Sequence, residues 1–178
     1  MDSFMEMGAT ARHNELITAL LRKILNFVDG GESKLFHENY SLVYWGNRKE
    51  LDTLELVDIK RIKDIEKFKE NTMNELRRIE PDFMLFDKNS YIENKKRTRI
   101  AGFPDLVIEV WSEGNSDMEQ EFKKFLYSTS PATEHWYIEQ DTNDVECCKG
   151  NEVLPAQSLK NILRTQNGVE FDLRYMAN

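Results

Sequence analysis

Turn-formers, thiols and basic excess are all scarce in this chain. Among 178 residues there are 2 cysteines, 4 prolines and 8 glycines, so no long disordered tract is indicated. Cys147 and Cys148 are adjacent. Neighbours on a strand point to opposite faces, which makes them a poor disulfide or metal pair. A cytoplasmic protein with free thiols is the expectation. No apolar run approaches the length that spans a bilayer, and MDSFMEMGATARH lacks the basic and apolar regions of a signal peptide, so no membrane association is expected. The net charge of −8 argues against strong non-specific affinity for nucleic acid, though not against a local basic site. There is no glycine-rich phosphate loop, no Cys or His pair at zinc spacing, and no nucleophile-elbow sequence. Nor is there an internal repeat.

What remains is a 40% hydrophobic chain, suited to one domain over residues 1–178 with a real core. Its centre is residues 102–140, GFPDLVIEVWSEGNSDMEQEFKKFLYSTSPATEHWYIEQ, which reads as strand, turn, helix, turn, strand. The run from Asp105 to Trp111 is almost wholly apolar, as befits a strand covered on both faces. Yet it carries Glu109 near its middle. A buried carboxylate must be protonated, paired or bound to a metal. In the helix that follows, Ser116 and Glu119 form a capping box, and Asp117 adds charge to the first turn. Met118, Phe122, Phe125 and Leu126 make its apolar stripe. At about 100° per residue, Lys123 falls on the flank of that stripe beside Glu119, and Lys124 points nearly opposite, toward water. The second strand, Glu134 to Glu139, completes a crossover of the length that joins parallel strands.

Upstream, residues 1–9 are expected to fray, and a helix is predicted from about Ala11 to Val28. Its buried stripe is Leu16, Leu20, Leu21, Ile24 and Val28, and Asp29-Gly30-Gly31 ends it. A strand is predicted within Lys34 to Trp45. Residues 48–79 show helical periodicity through Ile59, Ile62, Ile65, Phe68, Met73 and Leu76, and read as a helical insertion that could also serve as an oligomer contact. Pro81 discourages helix, so Phe83 to Phe86 reads as a short strand headed by Asp82. Residues 87–99 read as a polar connection containing the dense basic cluster Lys95, Lys96, Arg97 and Arg99. Downstream, a hairpin is expected about Gly150-Asn151, a helical turn over 159–163, and a last edge element over 169–173.

Three side chains could do chemistry together: Asp82, Glu109 and Lys123. The two apolar strands are consecutive and are expected to pair. Carboxylates on adjacent strands can hold a divalent cation, and a nearby ammonium can offset charge on a phosphate. Asp105 is a rival ligand on the same face as Glu109. It stands about 13 Å away along the strand, so both cannot share one ion. His13, His37 and His135 are scattered, and each reads first as a surface or satisfied core histidine; His13, a turn or less from Glu15, is a weak candidate to reach a site at the sheet edge.

The segments PDFMLF (81–86), GFPDLVIEVWS (102–112), EFKKFLY (121–127) and TEHWYIEQ (133–140) resemble the Uma-type family of restriction endonucleases within the PD-(D/E)XK nuclease superfamily. Arg12-His13 and GVEFDL (168–173) resemble it as well. The resemblance implies an α/β restriction-endonuclease-like fold, a central mixed sheet flanked by helices, with a Mg²⁺ (or Mn²⁺) site acting on DNA. It makes Asp82 and Glu109 the metal ligands and Lys123 the motif lysine. The usual position of that lysine, two residues after the acid, holds Trp111. Glu15 matches an auxiliary acid. The hairpin that usually precedes the first helix is expected to be lacking, which opens the alternative of an inactive module for nucleic-acid or protein binding. A double-strand cutter would be expected to form a homodimer.

Overall fold

The structure, a computed structural model, describes residues 3–29, 31, 33–37, 40–44, 64, 66–67 and 77–177. Its first element is the helix α1 (Ser3–Val28), which begins well before the predicted start and includes most of the residues expected to fray. Strand β1 (Ser33–His37) and β2 (Ser41–Tyr44) follow as two separate strands in different sheets, where the sequence suggested one. Most of the expected 48–79 insertion, with its suggested oligomer contact, lies outside the described residues. Glu66 and Lys67 are helical, but Arg77–Ile79 is a strand, β3, and not the end of a helix.

The remaining strands are β4 (Phe83–Asp87), β5 (Tyr91–Asn94), β6 (Arg99–Gly102) and β7 (Leu106–Trp111). Helix α2 (Asp117–Ser128) leads to β8 (Glu134–Glu139), β9 (Asp144–Lys149) and β10 (Glu152–Val153). The chain closes with β11 (Gln157–Ser158), β12 (Ile162–Arg164), β13 (Glu170–Asp172) and a 3₁₀ turn at Arg174–Met176. The predicted helical turn at 159–163 is thus partly strand. Leu159 and Leu163 have helical spacing but are both fully buried in the core.

The main sheet runs β1-β4-β7-β8-β9-β10, with β11 also on β9. Within this sheet, among the described residues, only β7 and β8 are parallel, as the crossover through α2 requires. The strict alternation of β7 splits its side chains between two cores. Leu106, Ile108 and Val110 pack with Leu16, Leu20 and Ile24 of α1. Val107 and Trp111 pack with Phe122, Leu126 and Tyr127 of α2. A second sheet, β3-β2-β6-β5, adds Leu42, Ile79 and Ile100 to the α2 side. The main sheet is therefore covered on both faces, which is why β7 could be almost entirely apolar.

Gly102, at the end of β6, has φ +143, and a Cβ there would lie 2.7 Å from the Ser90 carbonyl oxygen. Gly102→Ala is expected to cost about 1–3 kcal/mol of stability, read as a lower urea midpoint with an unchanged denaturant slope. The chain must make this close turn to deliver β7 beside β4.

Candidate active site

Strand register sets the two carboxylates face to face. The β4–β7 pairs are Phe83↔Ile108, Met84↔Val107 and Leu85↔Leu106. One step further in the same register, Asp82 stands opposite Glu109, on the α2 side of the sheet. Asp82 is held there because its Oδ2 accepts a hydrogen bond from the Val110 N–H at 2.7 Å.

Glu109 is only 1% exposed. Its Oε2 accepts from the Lys123 ammonium at 2.8 Å, and its Oε1 accepts from the Tyr127 hydroxyl. Glu119, Lys123 and Tyr127 follow one another at four-residue steps, so α2 presents them as one row to the sheet. The helix is started by Ser116, whose hydroxyl accepts from the Glu119 N–H at 3.2 Å. That is the predicted cap, and it fixes where the row begins. Burial pushes the Glu109 carboxyl up to about 7 against the pull of Lys123, and the charge of Asp82 adds to the rise. Asp82 and Glu109 thus share one electrostatic environment. Burial opposes the Lys123 charge, but Glu109, Asp82 and Glu119 hold its pKa above the ordinary lysine value.

These groups open onto a cleft of about 300 Å³, lined by Asp82, Glu109, Ser112, Asn115, Glu119 and Lys123, with His13 of α1 on its wall. Asn115 Oδ1 accepts from the Ser112 N–H at 3.0 Å and shapes the turn between β7 and α2. Two facing carboxylates at a cleft supply hard oxygen donors of the kind Mg²⁺ and Mn²⁺ take. Mg²⁺ in particular is commonly held by one or two carboxylates, with waters and substrate phosphate completing its shell. Among the described residues, no three His, Cys, Asp or Glu side chains converge on one point. A divalent ion here would rest on two protein carboxylates and not on an all-protein cage.

A family model described as "Uma2: Putative restriction endonuclease" matches residues 67–174. The chain belongs to this family. A solved structure described as "a putative nuclease belonging to DUF820", from Anabaena variabilis, superposes with a TM-score of 0.56 at 10% identity. The match covers 94% of this chain and 80% of that one. It shows a shared nuclease fold, an α/β architecture about a mixed sheet. A search of curated proteins found no match.

The Uma2 match includes Asp82, Glu109 and Lys123 but stops short of α1. There the resemblance points to Glu15, yet Glu15 is exposed and lines a different depression, with Arg22 and Tyr175. Glu15 is two residues from His13, about 200° around the helix, so the two cannot both face the sheet. His13 is the α1 residue that reaches the cleft, and its place on the Leu16–Leu20 stripe was readable from spacing. Asp105 sits at the far end of β7, exposed, where its Oδ2 accepts from the Asp87 N–H at 2.7 Å. It braces a strand end and does not line the cleft.

The basic cluster is also divided by the Uma2 fold. The expected polar connection is a hairpin, β5–β6, whose tip exposes Lys95, Lys96 and Arg97, while Arg99 is buried. Lys124, expected to face water, lies 4.9 Å from the Trp111 ring and 5.1 Å from the Tyr137 ring, and pairs with Glu146. The Trp111 and Tyr137 rings beneath it are stacked at 4.4 Å. Trp111 thus fills the usual lysine position as part of a packed platform. His135 is a satisfied core histidine: Nδ1 bonds the Tyr137 hydroxyl at 2.7 Å and Nε2 bonds the Gly150 carbonyl at 3.0 Å. Cys147 and Cys148 are free and buried, and burial pushes the Cys147 thiol up to about 11. No helix among the described residues is long and apolar enough to cross a membrane.

Proposed function

We propose that this Uma2-family chain is a metal-dependent endonuclease that hydrolyses DNA phosphodiester bonds. The observation that carries the reading is Glu109, a buried carboxylate set opposite Asp82 at an open cleft and clamped by Lys123 and Tyr127. Asp82 and Glu109 would hold Mg²⁺ or Mn²⁺. Such an ion polarises the phosphate and lowers the pKa of a bound water. The protein's own groups do the rest. Tyr127 and Lys123 fix the rotamer of Glu109, so the carboxylate enters the reaction already oriented. The Lys123 ammonium brings positive charge to the cleft, where negative charge develops on the phosphate oxygens. Buried free thiols suit a reducing cytoplasm. Cutting both strands of a duplex needs two such sites, which a two-fold dimer supplies most simply.

The basic hairpin tip supports DNA as the substrate. The Thr98 carbonyl accepts from the Ser41 N–H at 2.9 Å, and the Ser41 hydroxyl donates to Glu80 Oε1 at 3.1 Å. Glu80 is two residues before Asp82, so the tip is tethered to the segment that carries the ligand. Replacing Lys95 and Lys96 with Ala is expected to weaken DNA binding about equally for all sequences. It should also flatten log Kd against log salt by about 0.9 for each phosphate the two lysines neutralise; fluorescence anisotropy at several salt concentrations measures this.

The reading is tested by cleavage of plasmid DNA with Mg²⁺ or Mn²⁺, against EDTA, alongside a calorimetric Mn²⁺ titration. Metal-dependent nicking, and Mn²⁺ uptake that Asp82→Asn removes, are the expected results. One observation favours a second reading. Both Glu109 oxygens already have protein partners. A nuclease fold kept as a nucleic-acid or protein-binding module would look like this, and it would take up no Mn²⁺ and cut nothing.

A further inference from the structure

We propose that His13 is a catalytic residue of the cleft, donating a hydrogen bond from its ring to a non-bridging oxygen of the scissile phosphate. The proposal rests on the phosphodiester reading above and adds a third wall to that site. His13 lines the same cleft as Asp82, Glu109 and Lys123. It arrives from α1, which packs on the other face of the sheet from α2. A phosphate seated at the two carboxylates would have Lys123 on one side and the imidazole on the other.

The state of the ring is the second observation. His13 Nδ1 is buried and has no hydrogen-bond partner among the described residues. Buried polar atoms nearly always have one. Unlike His135, whose two ring nitrogens are both bonded, His13 lines the cleft with one ring nitrogen lacking a partner among the described residues. A metal is not that partner, because His13 does not converge with Asp82 and Glu109 as a third ligand. A phosphate oxygen is the acceptor that the rest of the site is built to receive.

The reaction itself stays balanced without a proton passing through the ring. Water adds across the phosphodiester: its oxygen bonds to phosphorus, the bond to the leaving oxygen breaks, and that oxygen takes one of the water's protons. His13 only stabilises charge that grows on the non-bridging oxygen as the new bond forms.

With only 3 histidines in the chain, ring signals are readily assigned from single variants. On adding inorganic phosphate to the Mg²⁺-loaded full-length protein, the His13 ring resonances are expected to shift while those of His135 stay put. His13→Ala is expected to lower kcat by about 10²-fold, the scale of one missing donor to developing charge, with KM changed much less. His13→Gln, which keeps a donor, and added imidazole on His13→Ala should each restore part of the rate. Phosphate that binds without moving the His13 ring, phosphate that does not bind, or His13→Ala that cuts at the wild-type rate each overturns the proposal. A rate loss that neither glutamine nor imidazole repairs overturns it too, and leaves His13 a packing residue. If the wild-type protein cuts no DNA, the endonuclease reading fails by itself, and the phosphate shift still decides whether His13 faces an anion.

Discussion

Glu109→Gln is expected to reduce metal-dependent cleavage by at least about 10²–10³-fold while leaving the fold intact. Glutamine matches the shape of glutamate. Its carbonyl can still accept from Lys123, and the Tyr127 hydroxyl can rotate to accept from the amide. What disappears is the negative charge that the proposed divalent ion would draw from Glu109, opposite Asp82. Glu109→Ala is the harsher change, because it strips the partner from a buried ammonium and is expected to cost about 3–5 kcal/mol. Nicking rates measured with circular dichroism melts separate the two. Glutamine should lose activity at a near-normal melting temperature, and alanine should lose both. A glutamine variant that still cuts would remove Glu109 from the chemistry altogether.

The second large effect is on stability, and Glu109 sets its sign. The carboxyl is held at about 7 in the folded protein, mainly by burial, against 4.5 when exposed. Between those values the native state keeps a proton that the unfolded chain releases, so this group's stabilisation is full below pH 4.5 and is lost as pH rises through about 7. At 1.36 kcal/mol per unit, the change approaches about 3 kcal/mol. Two other groups titrate in the same window. His135, lowered by burial, pulls the other way, since the unfolded chain then binds more protons. Glu139, raised by burial, acts in the same direction as Glu109. Both persist in Glu109→Gln, so the difference between wild type and variant isolates the buried acid. Urea unfolding at pH 5 and pH 7.5 should show wild type losing stability relative to the variant by a few kcal/mol on the rise. Parallel pH curves would mean that the pair with Lys123 fully offsets the burial.

The parts of the molecule legible in the sequence are those where local pattern and burial agree. A long apolar run with one carboxylate, a capped helix with Lys123 on its flank, and Pro81-Asp82 ahead of a second apolar run located the two strands, α2 and the residues that meet at the cleft. The hairpin β5–β6 was not legible, because β5 is an edge strand with Ile92 exposed and its neighbours half-buried, so no alternating stripe marks it. Lys124 was misplaced for another reason. A helical wheel knows only its own axis, whereas the sheet beneath α2 is broad enough for Trp111, Tyr137 and Glu146 to reach the helix flank. Glu15 came from resemblance alone, and it stands about 200° from His13 around α1.

Tyr44 and Arg77 are paired neighbours in β2 and β3, so the chain between them starts and ends at adjacent points of one sheet. The connection between them joins adjacent strand ends, as a hairpin loop does. Lengthening such a loop costs little, about 0.6 kcal/mol for each doubling. Strands β4 and β7, beside the cleft carboxylates, lie in the other sheet. A two-residue turn spliced between Tyr44 and Arg77 is therefore expected to give a smaller protein that keeps the main sheet and its cleft.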